Sequence, residues 1–202
     1  MRVILTITCA LSIVATPSIA KQPLNFEITP MIGYRFGGDF DNAQGSSIEL
    51  EDGTSYGLVS AWSVDRKHQG EFLISYYDTN FSDLSNISTS DNELSITYAH
   101  LGGTVPISEG ALPVNVVGGL GLTHFEPEDS EYSSETRFSI NVGLASKIPL
   151  TESISFRVEG RAYATFFDSE GALFCGPNGC VGYISSNVWM QGEVNAGLTF
   201  KF

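Results

Sequence analysis

Apolar side chains alternate with polar ones at a period of two along most of this chain, and no helical periodicity is found after Ala20. The alternating segments are 24–37, 54–64, 70–80, 93–107, 112–125, 136–149, 154–167 and 189–202. Eight strands are expected, many of them longer than the five or six residues usual in soluble sheets. In "ISFRVEGRAYATF" one face carries Ile154, Phe156, Val158, Ala162, Ala164 and Phe166, and the other carries Arg157, Glu159, Arg161, Tyr163 and Thr165. The last segment sets Met190, Val194, Ala196, Leu198, Phe200 and Phe202 against Gln191, Glu193, Asn195, Thr199 and Lys201. The first sets Phe26, Ile28, Ile32, Tyr34 and Phe36 against Glu27, Thr29, Gly33 and Arg35. Glu71 falls on the polar parity, and Asp78, near a loop end, falls on the apolar one.

One segment breaks the pattern. In "ELSITYAHLGGTVPI", Leu94, Ile96 and Tyr98 share a parity, while Leu101, Val105 and Ile107 take the other. A bulge near Ala99–His100 is expected to restore a single apolar face.

The connections alternate as well. "DRKHQ", "SEGA" and "TES" are short, whereas "GDFDNAQGSSIELED", "SDLSNISTSDN", "EPEDSEYSSE" and "SEGALFCGPNGCVGYISSN" are long. Short turns at one end and long loops at the other mark an up-and-down barrel in a membrane, and an even strand count puts both termini at the short-turn end.

Alternation does not say which face is wet, since a soluble ligand-binding barrel also alternates, with its apolar face inward. Three features favour the inverted arrangement. The chain has only four Lys, too few for a water-facing strand surface. Aromatics gather toward strand ends on the apolar parity, at Tyr34, Phe36, Trp62, Tyr76, Phe138, Phe166 and Phe202, as in the girdles of a membrane interface. The final strand runs to a bulky aromatic, which suits closure against the first strand with no edge left in lipid.

Composition narrows the function. With 10 Lys+Arg against 23 Asp+Glu the formal net charge is -13, which argues against nucleic acid as a partner. Residues are 42% hydrophobic and only 16% charged, too apolar for a disordered acidic protein. "MRVILTITCALSIVATPSIA" reads as a secretory signal peptide over residues 1–20, ending in the small-residue cleavage site Ser18-Ile19-Ala20. Its apolar run is shorter than a spanning helix needs. Of the remaining cysteines, Cys175 and Cys180 bracket the turn sequence Gly-Pro-Asn-Gly, and a disulfide closing that loop is expected in an oxidising compartment.

"NVWMQGEVNAGLTFKF" resembles the C-terminal strand of bacterial outer-membrane barrels, and "FEITPMIGYRFGGDFD" is similar to the first strand of small OmpA/OmpX-type barrel domains. The resemblance implies that Phe200 and Phe202 form a signal read by the barrel-assembly machinery. Unlike OmpA itself, the chain is expected to carry no peptidoglycan-binding domain after the barrel. Outer-membrane lipid A deacylases use a His and a Ser on one strand with a Glu partner. "HFE" after His124 lacks the matching Ser, and His68 and His100 are scattered, so no catalytic site, metal site or cofactor is expected.

An eight-stranded barrel is wide enough inside only for side chains. Glu27, Arg35, Glu71, Arg157, Glu159, Arg161 and Glu193 are expected to meet there as a salt-bridge plug. A narrow gated pore is the alternative, and a catalytic carboxylate pair the least supported. The long loops are acidic at Asp39, Asp41, Glu49, Glu51 and Asp52, and again at Glu126, Glu128, Asp129, Glu131 and Glu135. They form a solvated rim or hold divalent cations against lipopolysaccharide.

The expectation is therefore an all-β, eight-stranded antiparallel transmembrane barrel over residues 21–202. It is exported to the outer membrane of a Gram-negative bacterium and monomeric among lipid and lipopolysaccharide. It displays its loops and is not an enzyme. A channel for small or apolar solutes and a soluble periplasmic ligand-binding barrel are the alternatives.

Overall fold

The computed structural model describes residues 25–38, 40–41, 47–82, 93–108, 110, 112–128, 133–167, 171–176, 179–184 and 188–202. The expected signal peptide at 1–20, and Asp39, Asp129 and Glu131, lie outside the described residues.

Eight long strands make the body: β1 (Phe26–Phe36), β4 (Gly53–Ser63), β5 (Gln69–Ser82), β6 (Glu93–Ser108), β7 (Val114–Pro127), β8 (Glu135–Pro149), β9 (Ile154–Phe166) and β12 (Val188–Lys201). Each pairs antiparallel with the next, and β12 pairs back onto β1, so the sheet closes. At the seam Ile28 lies opposite Phe200, and the Phe202 amide donates to the Phe26 carbonyl at 2.9 Å. Direct partners lead once round the barrel from Glu27 through Ala61, Glu71, Gly102, Gly119, Asn141 and Tyr163 to Gln191. Glu27 itself pairs with Lys201, ten residues beyond Gln191. That offset is the barrel's shear, and with eight strands it tilts them by about 40°.

Four short strands sit at the loop end: β2 (Phe40–Asp41), β3 (Ser47–Leu50), β10 (Gly171–Gly176) and β11 (Gly179–Ile184). β10 and β11 form a hairpin, β11 pairs with β2, β2 with β3, and β3 with the end of β5. The first and last loops thus share one small sheet anchored to the barrel wall. Its backbone register sets Cys175 directly opposite Cys180.

The opposite end has tight turns. Asp65 closes the first, its Oδ1 accepting the amides of Lys67 at 2.7 Å and His68 at 2.8 Å, with the His68 ring Nδ1 2.7 Å from Oδ2. The His68 hydrogen bond, and then the two amides, hold the Asp65 carboxyl down at about 2. Thr151 does similar work before β9, where its Oγ1 accepts the Ile154 amide at 3.0 Å.

The faces are inverted relative to a soluble barrel. Ile32, Leu58, Leu101, Leu120, Val142, Val158 and Met190 point outward, with Leu101 and Leu120 exposed to 60% and 61%. On the other parity most charged and polar groups are buried, among them Arg35, Glu71, Arg157, Glu159, Arg161 and Glu193. A water-soluble ligand-binding barrel would have these faces the other way round.

The bulge expected at Ala99–His100 is not there. β6 keeps one register against β5 from Glu93 to Thr104, and against β7 from Leu94 to Pro106, with the irregularity between Pro106 and Ser108. Leu94, Ile96 and Tyr98 instead point into the barrel and are completely buried, while Leu101, Val105 and Ile107 point out. The surroundings change along β6 and the register does not, because the loop-end half of the interior is apolar. Asp78, on the outward face, accepts hydrogen bonds from Tyr76 Oη and from Ser95 Oγ, the latter at 2.7 Å.

Candidate functional site

Period-two geometry sends every second side chain of all eight strands into a space one side chain deep, so long charged residues from opposite walls must meet. Glu71 stands on β5 and Arg157, Glu159 and Arg161 on β9, four strands away and so diametrically across the barrel. Arg157 donates through Nε to Glu159 Oε2 and through Nη2 to Glu71 Oε2, both at 2.8 Å. Arg161 donates through Nε to Glu159 Oε1 at 2.7 Å and through Nη2 to Glu71. Two carboxylates and two guanidiniums thereby form a closed ring. Asn141 accepts from Arg161 Nη1 at 2.8 Å, and Thr104 donates to Glu71 Oε2 at 3.3 Å. Gly143, directly opposite Arg161, leaves room for it: a Cβ there would come within 2.9 Å of Arg161 Cγ.

A second assembly lies toward the loops. Arg35 on β1 and Glu193 on β12 are paired neighbours, with Nη2 2.8 Å from Oε1. Arg35 also donates to Ser75 Oγ at 2.6 Å, and Ser75 donates on to Glu193 Oε1 at 2.9 Å. Tyr163 donates to Glu193 Oε2 at 2.6 Å. Three rings surround the guanidinium, with centroids 4.6 Å (Tyr98), 4.9 Å (Tyr163) and 5.5 Å (Tyr77) from Cζ, within cation–π range. Tyr98 donates across the barrel to Gln191 Oε1 at 2.9 Å, and Gln191 Nε2 donates to the Gly37 carbonyl at 3.0 Å.

Glu27 belongs to neither assembly. It pairs with Lys147, whose Nζ lies 2.5 Å from Glu27 Oε2 and 2.7 Å from Gln69 Oε1, at the turn end. Each of the three groups balances its formal charges, a condition for holding ions in a desolvated space.

Above the Arg35 cage the interior changes character. Leu50, Leu94, Ile96, Phe125, Phe167 and Trp189 are buried together at the loop-end mouth. Phe125 packs on Trp189 with ring centroids 5.2 Å apart and on Phe167 at 5.9 Å. Gly38, at φ 101°, tucks the departing chain against this layer, where a Cβ would sit 2.6 Å from the Trp189 ring. An L side chain fits neither that dihedral nor that gap.

Sequence reasoning missed Lys147 as a member of the charge system, the tyrosine cage and the apolar mouth. Holding one parity through β6 from Thr104 back to Leu94 would have found Tyr98, His100, Ile96 and Leu94 inside. The three histidines stay apart: His68 in a turn, His100 inside with Nε2 2.9 Å from Ser139 Oγ, and His124 outside, 2.8 Å from Thr136 Oγ1. Phe200 faces outward, and Phe202 is largely exposed at the seam.

An apolar exterior, a closed antiparallel wall and an interior packed with ion pairs define an eight-stranded transmembrane β-barrel with the fold of the small OmpA/OmpX-type barrels. No protein-family model matches the sequence, and no curated protein does. Among solved structures the chain is similar to Neisserial surface protein A (10% identity, 88% of this chain and 97% of that one, TM-score 0.56). It is also similar to the outer membrane protein OprG from Pseudomonas aeruginosa (14% identity, 89% and 96%, TM-score 0.58). At these identities the likeness is one of fold.

Proposed function

We propose that the protein is an exported outer-membrane barrel whose body is a sealed anchor and whose loops are the working surface. The carrying observation is the interlocked interior: the Glu71–Arg157–Glu159–Arg161 ring spans the full bore, with every member at most 4% exposed. A solute path would have to break at least two ion pairs in a low-dielectric space, which is costly. The apolar belt supports residence in lipid, and the turn end, holding both termini, faces the periplasm. Residues 1–20 act as the cleaved leader, Phe200 and Phe202 serve the assembly machinery, and the barrel is a monomer. Cys175 and Cys180, opposite each other in a hairpin, form a disulfide that staples the last loop.

The test is conductance in a planar bilayer, for the native barrel and for Arg161→Ala. The native protein should be silent and the variant should conduct. Discrete openings in the native protein would replace this reading with a narrow channel.

A further inference from the structure

The surface-display reading leaves open what the loops recognise, and two independent features bear on it. The first is a strand edge. Among the described residues β10 pairs with β11 alone, at one margin of the sheet that runs β10–β11–β2–β3–β5. Among the described residues its outer edge thus has no strand partner for its backbone donors and acceptors. Natural edges are usually protected by Lys, Pro or an inward charge. β10 reads Gly-Ala-Leu-Phe-Cys-Gly and has none of these. Its attachment through β11, β2 and β3 to β5 fixes the edge to the barrel body, so a strand added there would meet a held template.

The second feature is charge. The four connections at this end, residues 37–52, 83–92, 128–134 and 167–187, contain twelve Asp and Glu and no Lys or Arg. The three turns at the opposite end, 64–68, 109–113 and 150–153, contain three acids and two bases. Connections of one charge sign steer oppositely charged partners and repel like ones. It disfavours a second copy of this chain at the same edge.

We propose that β10 is a docking edge for an extended, cationic polypeptide segment, which adds to the loop sheet as a further antiparallel strand. This rests on the surface-display reading. Backbone pairing supplies the fixed geometry, as in other strand-addition complexes, and the acidic loops select for lysine or arginine in the incoming strand. Six residues of β10 span about 20 Å, enough for a short strand.

The experiment uses the full barrel in lipid nanodiscs and a twelve-residue peptide alternating lysine with valine and threonine. Three controls accompany it: the same peptide with alternate backbone amides N-methylated, its glutamate counterpart, and the Leu173→Pro barrel. The lysine peptide should bind and slow amide exchange over Gly171–Gly176. N-methylation should weaken binding about tenfold or more, because several backbone hydrogen bonds are lost at once. The glutamate peptide should not bind, and Leu173→Pro should lose affinity while the barrel's unfolding midpoint stays unchanged. Equal binding of the N-methylated peptide, or protection confined to other loops, would overturn strand addition. Self-association abolished by Leu173→Pro would overturn it too, and would give the edge to a second copy. These outcomes are independent of conductance, so a failed docking edge leaves the sealed-anchor reading standing, and a conducting barrel leaves the peptide result interpretable.

Discussion

Two layers inside the barrel are carried by the same strands and the same parity, yet opposite forces hold them. β5 contributes Glu71 to the ionic ring and Tyr77 to the region beneath the apolar mouth, and β12 contributes Glu193 below and Trp189 above. In the lower layer each guanidinium and carboxylate is held in an ion pair, across the bore at Glu71, along β9 at Glu159 and between neighbouring strands at Arg35–Glu193. In the upper layer Leu94, Ile96, Phe125 and Trp189 interlock by shape. Parity decides only whether a side chain points in or out. Depth along the strand decides whether the inside is ionic or oily. The ionic layer is intolerant, since deleting one member strands its partner in a desolvated place. The apolar layer is forgiving, since deletion leaves a cavity whose cost is graded by volume.

The contrast is broken most severely at Glu71, which joins the two arginines from the far wall. Glu71→Ala should cost about 4 kcal/mol, read as a lower urea midpoint for unfolding from lipid vesicles. An unchanged midpoint would mean that Glu159 alone satisfies both guanidiniums and that the ring has no structural weight. Leu94→Ala in the upper layer should cost about 3 kcal/mol by cavity formation and leave the bilayer silent. Conduction by this variant would move the seal from the ions to the apolar mouth.

The smallest effect lies outside both layers, in the turn after β4. Asp65 is held at about 2 against an ordinary 3.8, so the folded state prefers it ionised. Its contribution is complete above the ordinary value and fades as pH falls toward about 2. Asp65→Asn should therefore lower the unfolding midpoint slightly at pH 6 and by less at pH 2.5. The same difference at both pH values would show that the turn does not depend on the carboxylate. Asp65 is exposed to solvent, and the effect is small for that reason.

All eight long strands, their order and the inward parity of Glu27, Arg35, Glu71, Arg157, Glu159, Arg161 and Glu193 were legible in the sequence. A strand's two faces are local, and a period of two survives any tertiary arrangement that keeps the strand. Misreading β6 was the price of taking one rule to its end: apolar was equated with outward along the whole strand. Leu94, Ile96 and Tyr98 obey a different neighbourhood, made by Phe125 from β7 and Trp189 from β12. No local pattern records those neighbours.

The sequence by itself thus determined the strands, the barrel class, the one-signed loops and the inward parity of most of the interior charges. Only the tertiary structure decided who meets whom: Glu71 with two arginines across the bore, Glu27 with Lys147 away from the rest, and Arg35 within three tyrosine rings. It also joined the first and last loops into one sheet, leaving β10 at its margin. The reason is the closure of the barrel. Pairing between neighbouring strands follows from chain order, but contacts across the bore depend on shear, which sets the height at which each side chain enters the interior and is a property of the closed ring as a whole.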